Sequence, residues 1–538
     1  MSARSRESPQ LDPVTLQVLV GALRAACDEM GAVLIRSAHS ANIKERHDCS
    51  TALFDAAGEL VMQAEHIPVH LGSMPDAVAA VLDEEHHPGV AWILNDPYRG
   101  GTHLPDITLI SPIFPPSDGG EDPPSRPLGF AASRAHHADI GGPTPGGMPA
   151  DSRRLQDEGV VIPPTRATDE VLEELAHEMR NPPQRLADLR AQRAANLTGE
   201  QRLLELVERN GIDELNAGMA EILDYAERRT RARLTELPDG AYEAEDVLED
   251  DAGGSERDIR LRVSARIDGD RLTLDFTGTD AQVDGNLNCP LSVTKSAAFF
   301  SVRVLTDPDA PPSAGAFRPI EVIAPVGCVL NARPPAAVVA GNVETSSRVA
   351  DLVLAALAGA TSVPAQGQGT MNNLTFAGEV FERGDERRRD RHVSLDGWTY
   401  YETLGGGQGA CPDADGPDAI HVAMSNTLNT PTEALETEFP VRVREHSVRR
   451  GSGGEGEHHG GDGLVRELEA LAPLGFTLIT ERRTHAPRGR NGGADGLPGR
   501  NLLNGEPLPS KAAGKLQPGD RLRLETPGGG GYGSPSDE

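Results

Sequence analysis

Apolar residues recur at near-helical spacing through Asp12–Val33, at Leu16, Leu19, Val20, Leu23, Ala26, Met30 and Val33. This predicts a long amphipathic helix, with Asp12 as N-cap and Pro13 at the first helical position. The period then shortens. Ser50–Phe54 and Glu59–Met62 flank Asp55-Ala-Ala-Gly58 and read as two short strands around a tight turn. Met74–Leu82 predicts a helix, and Trp92–Leu94, Ile107–Phe114 and Phe130–Ala135 predict further strands, with Pro115–Pro127 a polar surface loop. Asp169–Leu237 is helical in period, carrying Leu172, Leu175, Met179, Leu189, Leu203, Val207 and Ile222, and is interrupted near Asn181-Pro-Pro183. Beyond Tyr242, Ile259–Val263, Ala265–Ile267 and Leu272–Phe276 lie between turns such as Asp268-Gly269, and a helix is expected at Ser292–Leu305. The last part, roughly Val393–Tyr532, is glycine-rich with short strands at Ile420–Met424, Phe476–Thr480 and Arg521–Leu524.

This pattern predicts an α+β fold of several domains. An N-terminal α/β region with a helical segment is expected over 1–240, a β-rich module over 241–340 and a glycine-rich mixed α/β module over 341–538. The length of 538 residues supports about three or four domains. A net charge of −31 repels phosphate backbones and anionic lipid surfaces, which argues against nucleic-acid or membrane partners. Met1–Pro9 lacks the apolar core of a secretory signal, and no run approaches the ~18 apolar residues of a membrane span, so a cytosolic protein is expected. Cys27, Cys49, Cys289, Cys328 and Cys411 are odd in number and form no C-x-x-C pair, so they are expected as buried thiols.

The polar density that bears on chemistry lies between Glu45 and Asp139. The turn-rich loop Asn95–Asp106 presents His103 and Asp106 three residues apart, close enough for imidazole and carboxylate to meet one cation. Downstream, the strand-like Phe130–Ala135 runs into His136-His137-Ala138-Asp139, and upstream Asp48 precedes the Ser50–Phe54 strand. Two imidazoles and two carboxylates suit a divalent ion such as zinc, manganese or iron, and an open position on it would lower the pKa of bound water to about 7. Adjacent residues of an extended chain point to opposite faces, so only one of His136 and His137 is expected to ligate. The bland alternative is ordinary loop histidines and helix-capping aspartates. His66 and His70 flank Ile67-Pro-Val69 and offer a substrate-facing imidazole. Gly405–Gly409 and Gly528–Gly531 read either as anion-binding backbone nests or as plain turns. No Walker-type phosphate loop and no G-x-S-x-G elbow is present.

Several motifs together resemble the hydantoinase B/oxoprolinase family. They are Asn42-Ile-Lys-Glu-Arg-His-Asp48, His66-Ile-Pro-Val-His-Leu-Gly72, Asn95–Asp106, Ser133–Gly142, Asp188-Leu-Arg-Ala-Gln192, Gly341-Asn-Val-Glu-Thr-Ser346, Asn429-Thr-Pro431 with Glu436–Pro440, and Thr526–Gly533. The resemblance implies a B-type subunit of N-methylhydantoinases and ATP-dependent 5-oxoprolinases, related to a subunit of ketone carboxylases. It implies a metal centre held by Asp48, His103, Asp106 and one of His136 and His137, with Asp139 or His70 handling protons. It also implies an A-type partner with an actin-like ATPase fold that binds ATP and phosphorylates a cyclic amide carbonyl, after which hydroxide on this subunit attacks the activated carbon. A ketone-carboxylase subunit and a structural metal-binding subunit are the alternative expectations. His47 and Cys49 around Asp48, and the length of Pro115–Pro127, depart from the family pattern.

Overall fold

The computed structural model describes residues 12–116, 126–249, 257–378 and 397–535. Most of the Pro115–Pro127 loop therefore lies outside the described residues. The architecture is α+β, with four separate sheets and helices packed on them.

The Asp12 carboxylate accepts from the backbone N–H groups of Val14 and Thr15 and starts the first helix, Pro13–Ser37. The expected stripe, Leu16, Leu19, Val20, Leu23 and Met30, is its buried face, continued by Leu34 rather than Val33. Burying each large side chain contributes about 1.5–3 kcal/mol, and here the partners are the helix Pro182–Asn210 and the first sheet. The predicted break at Asn181 is real: Asn181 has φ 54°, which ends Asp169–His177 and lets Pro182 open the 29-residue helix behind it. A second long helix, Ile212–Thr235, follows.

The first sheet contains β1 (Cys49–Asp55), β2 (Leu60–Glu65), β3 (Trp92–Leu94), β4 (Asp106–Ile113), β5 (Gly129–His136) and β6 (Thr165–Arg166) in the order β2-β1-β5-β4-β3-β6. Strands β4 and β5 are buried on both faces. Ala131 and Ala135 pack toward the long helices, whereas Phe130 and Ala132 pack toward the helix Ser73–Ala79. This alternation decides where every polar side chain at the end of β5 must point. Fully buried Arg134 ties the far face together, donating to Thr108 Oγ1 at 2.7 Å, to Ser73 Oγ and to the Gly100 carbonyl at 3.0 Å. Burial pushes its guanidinium down to about 10.

A second sheet joins Gly240–Leu248, Ile259–Asp268, Arg271–Asp275 and Ile320–Ile323, and is covered by the helices Leu291–Thr306 and Ser346–Leu357. The two apolar runs expected from Ile259 to Ile267 form one strand. The third sheet contains Asn373–Gly378, Trp398–Glu402, Leu474–Ile479 and Lys511–Leu516, and the fourth contains Val441–Arg449, Gly463–Ala470, Arg500–Leu503, Glu506–Leu508 and Arg521–Glu525. The strand expected at Ile420–Met424 does not form. Ala419 (φ 50°) and Ala423 (φ 53°) take left-handed conformations, and the segment is an irregular loop.

The glycine runs are not anion nests. Gly407, Gly454, Gly461, Gly529 and Gly530 donate their N–H groups to the carbonyls of Pro527, Gly529, Gln408, Gly461 and Gln366 respectively. Backbone packs directly on backbone, and a Cβ at Gly407 would stand 1.9 Å from the Gly461 oxygen. Glycine is required there for close approach rather than for ligand binding. No described helix is long and apolar enough to cross a membrane.

Candidate metal centre

The loop before β4 is pinned by Asn95, whose Nδ2 donates to the carbonyls of Leu104 (2.8 Å) and Val160 (3.0 Å) while its Oδ1 accepts from Ile162 N–H at 2.6 Å. A Cβ at Gly101 would stand 2.2 Å from the Asn95 oxygen, so the chain doubles back tightly and delivers His103 beside the start of β4. Antiparallel register sets Asp106 directly opposite His136. Three ligand atoms converge as a result. His103 Nε2 lies 3.0 Å from Asp106 Oδ1, His136 Nδ1 lies 3.1 Å from the same oxygen, and the two nitrogens are 3.2 Å apart.

These residues fit a divalent cation. Tetrahedral coordination with bonds of about 2.0–2.1 Å places neighbouring ligand atoms about 3.3 Å apart, close to the three separations observed. Two neutral imidazoles and a carboxylate aim lone pairs at one point, an arrangement that a cation relieves. The second carboxylate oxygen is already engaged: Thr102 Oγ1 donates to Asp106 Oδ2 at 2.7 Å, Asn342 Nδ2 at 3.4 Å, and His70 Nε2 stands 3.5 Å away. Burial alone would raise the Asp106 carboxyl. The charge of His103 and hydrogen bonds from His103, His136 and His70 outweigh it and hold the group well below the usual carboxylate range. His103 Nδ1 and His136 Nε2 have no hydrogen-bond partner among the described residues. His136 is instead oriented by packing, stacked on the Tyr401 ring at 4.5 Å and 17°.

The structure brings His136, and not His137, to this point. His137 follows the other face of the strand, where its Nε2 meets Gln192 Oε1 at 2.9 Å, and burial pushes its imidazole down to about 4. Asp48 lines the same narrow cavity but lies outside the set of atoms within 4.8 Å of one another. His70 also lines it, with Nδ1 held 2.9 Å from Ser50 Oγ, while His66 faces a different crevice beside Arg24 and Asp28. Asp139 is not brought to the cavity. Its carboxylate accepts from the N–H groups of Gly141, Gly146 and Arg180 at 2.8 Å and from Arg180 Nη1 at 3.0 Å, so both oxygens are used in fixing the chain after β5.

Sequence reasoning missed the far wall. Asn342 and Val343 reach the cavity from a π-helical turn, Gly341–Thr345, and Tyr401, Thr403, Ser425 and Thr427 come from the third sheet and the irregular loop after Ala419. Tyr401 Oη donates to Asn373 Oδ1 at 2.7 Å, and Asn373 Nδ2 donates to Glu344 Oε1 at 2.8 Å. Burial, reinforced by the charge of Glu481, pushes the Glu344 carboxyl up to about 8. The motif containing Gly341–Ser346 was visible in the sequence, whereas nothing local marked Tyr401 or Ser425.

The model of the family "Hydantoinase B/oxoprolinase" matches residues 12–535. The chain is 37% identical to 5-oxoprolinase 1 of Arabidopsis thaliana over 97% of its own length, but it spans 42% of that protein. It is 31% identical to a protein named as the B-type subunit of a D-/L-hydantoinase from a Pseudomonas species, over 99% of this chain and 92% of that one. A crystal structure of ATP-dependent caprolactamase from Pseudomonas jessenii superposes with a TM-score of 0.86 at 29% identity, covering 97% of this chain and 91% of the other. With the metal-type triad on β4, β5 and the loop between β3 and β4, and with the match running from the first helix to the last glycine run, the chain belongs to the hydantoinase B/oxoprolinase family.

Proposed function

We propose that this chain is the metal-holding, ring-opening part of an ATP-dependent hydrolase of cyclic amides, the class that contains 5-oxoproline, hydantoins and lactams. The convergence of His103 Nε2, Asp106 Oδ1 and His136 Nδ1 on one point carries the reading, and the names of the relatives and of the caprolactamase support it. The donor set of imidazole and carboxylate suits zinc, manganese or iron. Such an ion, when bound, supplies Lewis acidity and activates water at neutral pH. Asp48 completes the ligand set from the opposite side of the cavity. His70, held by Ser50 and facing Asp106, is placed to hold a proton between ring and solvent. Tyr401 fixes the plane of His136, and Ile67, Val69, Val343 and Met371 give the cavity apolar walls that limit water.

An amide carbonyl resists attack because of resonance, and phosphorylation of its oxygen removes that resistance. The chain has no Walker-type loop, so ATP is bound by an A-type partner with an actin-like ATPase fold. The naming of the hydantoinase relative as one subunit of an enzyme, and the fraction of 5-oxoprolinase 1 left uncovered, support a second part that acts with this one. The assembly works in the cytosol, where ATP is supplied.

The test is to co-purify the chain with its A-type partner and follow ATP hydrolysis and ring opening on 5-oxoproline, hydantoins and lactams, before and after chelation. Ring opening that needs both chains, ATP and the ion is the expected result. Product formation only from a ketone and bicarbonate would assign the site to carboxylation instead, and turnover unchanged by complete metal removal would reduce the triad to a structural role.

A further inference from the structure

Opposite the metal-type triad, four side chains form a continuous hydrogen-bonded row whose two ends both open on the cavity. Thr403 Oγ1 lies 2.8 Å from Thr427 Oγ1, Thr427 Oγ1 lies 3.2 Å from His421 Nε2, and His421 Nδ1 is hydrogen-bonded to Ser425 Oγ. Thr403 and Ser425, the two termini, line the same cavity as His103, Asp106 and His136. Neither terminal hydroxyl has a further side-chain or backbone acceptor among the described residues.

Proton counting restricts the row to two states. Fully buried Arg46 donates through Nη2 to Thr403 Oγ1 at 2.7 Å and to Thr427 Oγ1 at 2.8 Å, and a guanidinium cannot accept. Each threonine oxygen is thereby left one proton to give. A neutral imidazole donates from one nitrogen and accepts at the other, so the whole row runs in one direction or the reverse. In one state Ser425 gives its proton to His421 Nδ1, His421 Nε2–H to Thr427, Thr427 to Thr403, and Thr403 points its O–H into the cavity. In the other state every bond is reversed and Ser425 presents the O–H. The imidazole must be neutral for this to work. It is half-buried, and burial together with the Arg46 charge pushes it down to about 3. The loop that carries it is held out of strand geometry by left-handed Ala419 and Ala423, each costing about 1–2 kcal/mol, a strain of the kind that clusters at working sites.

We propose that Thr403, Thr427, His421 and Ser425 form a proton relay that carries a proton from the attacking water to the ring nitrogen, deepening the ring-opening function proposed above and resting on it. As the C–O bond forms, the water's proton passes to Ser425 Oγ and the serine proton passes to His421 Nδ1. The Nε2 proton passes to Thr427, the Thr427 proton to Thr403, and the Thr403 proton to the nitrogen as the C–N bond breaks. No group changes charge, and His421 ends in its other tautomer. Water at its half-exposed edge and rotation of the hydroxyls restore the starting state. Leaving-group protonation is the step that an amine nitrogen demands, and a row with both ends in one cavity supplies it without an ionised acid.

The experiment uses the complex with the A-type partner and measures kcat and KM for ring opening, with bound metal assayed on each sample. Ser425→Ala and His421→Asn are compared with wild type, because Asn keeps one hydrogen bond and cannot tautomerise. Both should lower kcat by about 10²-fold or more with KM and metal content unchanged. The double variant should fall no further than either single one, since a row is broken by one gap. Thr403→Ser, which retains the hydroxyl, should stay near wild type while Thr403→Val joins the slow variants. A wild-type complex that opens no ring would overturn the hydrolase reading and the relay together. A wild-type complex that opens rings while Ser425→Ala and His421→Asn keep its kcat, or lose it additively, would overturn the relay alone.

Discussion

Replacing Asp139 by Asn separates a structural carboxylate from a catalytic one. The Asp139 side chain is fully buried and Arg180 is nearly so, and the pair is fixed by a 3.0 Å contact between Arg180 Nη1 and Oδ2. Three backbone N–H groups complete the cradle. Asn preserves the shape but can accept through one oxygen only. That oxygen keeps Gly141 and Arg180 N–H, while the new NH₂ faces two donors, Gly146 N–H and Arg180 Nη1. Arg180 is then a buried cation without its counter-ion, a change that costs about 3–5 kcal/mol, or two to three and a half orders of magnitude in the local opening equilibrium. Native-state hydrogen exchange reads this directly, because the amides of Gly141, Gly146 and Arg180 are the donors concerned. Their protection should fall by about 10²-fold or more, with metal content and kcat per folded molecule unchanged. Unchanged protection with a large loss of kcat would refute the reasoning and return Asp139 to proton transfer.

Removing a triad member should empty the site. His103→Ala is expected to reduce bound metal to background while circular dichroism stays at wild type, and full metal retention would exclude the triad. Glu344 provides a pH test. Its folded-state pKa is raised from 4.5 to about 8, so the native state takes up a proton and stability declines as pH rises between those values, by up to about 1.4 kcal/mol per unit. Glu344→Gln mimics the neutral acid, and its denaturation midpoint should lose that part of the slope; parallel slopes for the two proteins would show that Glu344 is ionised throughout. Gly529→Ala places a methyl group 2.0 Å from the Gln408 oxygen and should destabilise the C-terminal part by about 3 kcal/mol or more, measured by urea unfolding. A change below about 1 kcal/mol would mean that the glycine layers can separate.

Local signals were enough wherever one segment carried its own constraint. The Asp12 cap, the break at Asn181 and the helix at Leu291–Thr306 follow from spacing and capping chemistry within a few residues. The Ile420–Met424 segment misled because its alternation resembles a strand, whereas the loop is set by contacts to Gly406, Asp462 and Arg46, all distant in sequence. The glycine runs misled for the same reason: their N–H groups are consumed by carbonyls of other runs, which no single run announces.

His103 and Asp106 were legible as a pair because three residues separate them on one loop. Strand alternation predicted that only one of His136 and His137 would reach the ion, and it had no means of choosing. The choice was made by the register of β5 against β4, which sets His136 opposite Asp106 and turns His137 toward Gln192. Asp139 shows the converse, since a carboxylate close in sequence to a ligand was diverted by Arg180, 41 positions away. The sequence by itself determined the types of element, the ligand chemistry and the family, because periodicity, capping and motif spacing are properties of short stretches. Tertiary structure alone decided the cavity's far wall. Asn342, Tyr401, Thr403, His421 and Ser425 meet the triad only through packing between sheets, and side chains that converge from hundreds of residues apart leave no periodic trace in the chain.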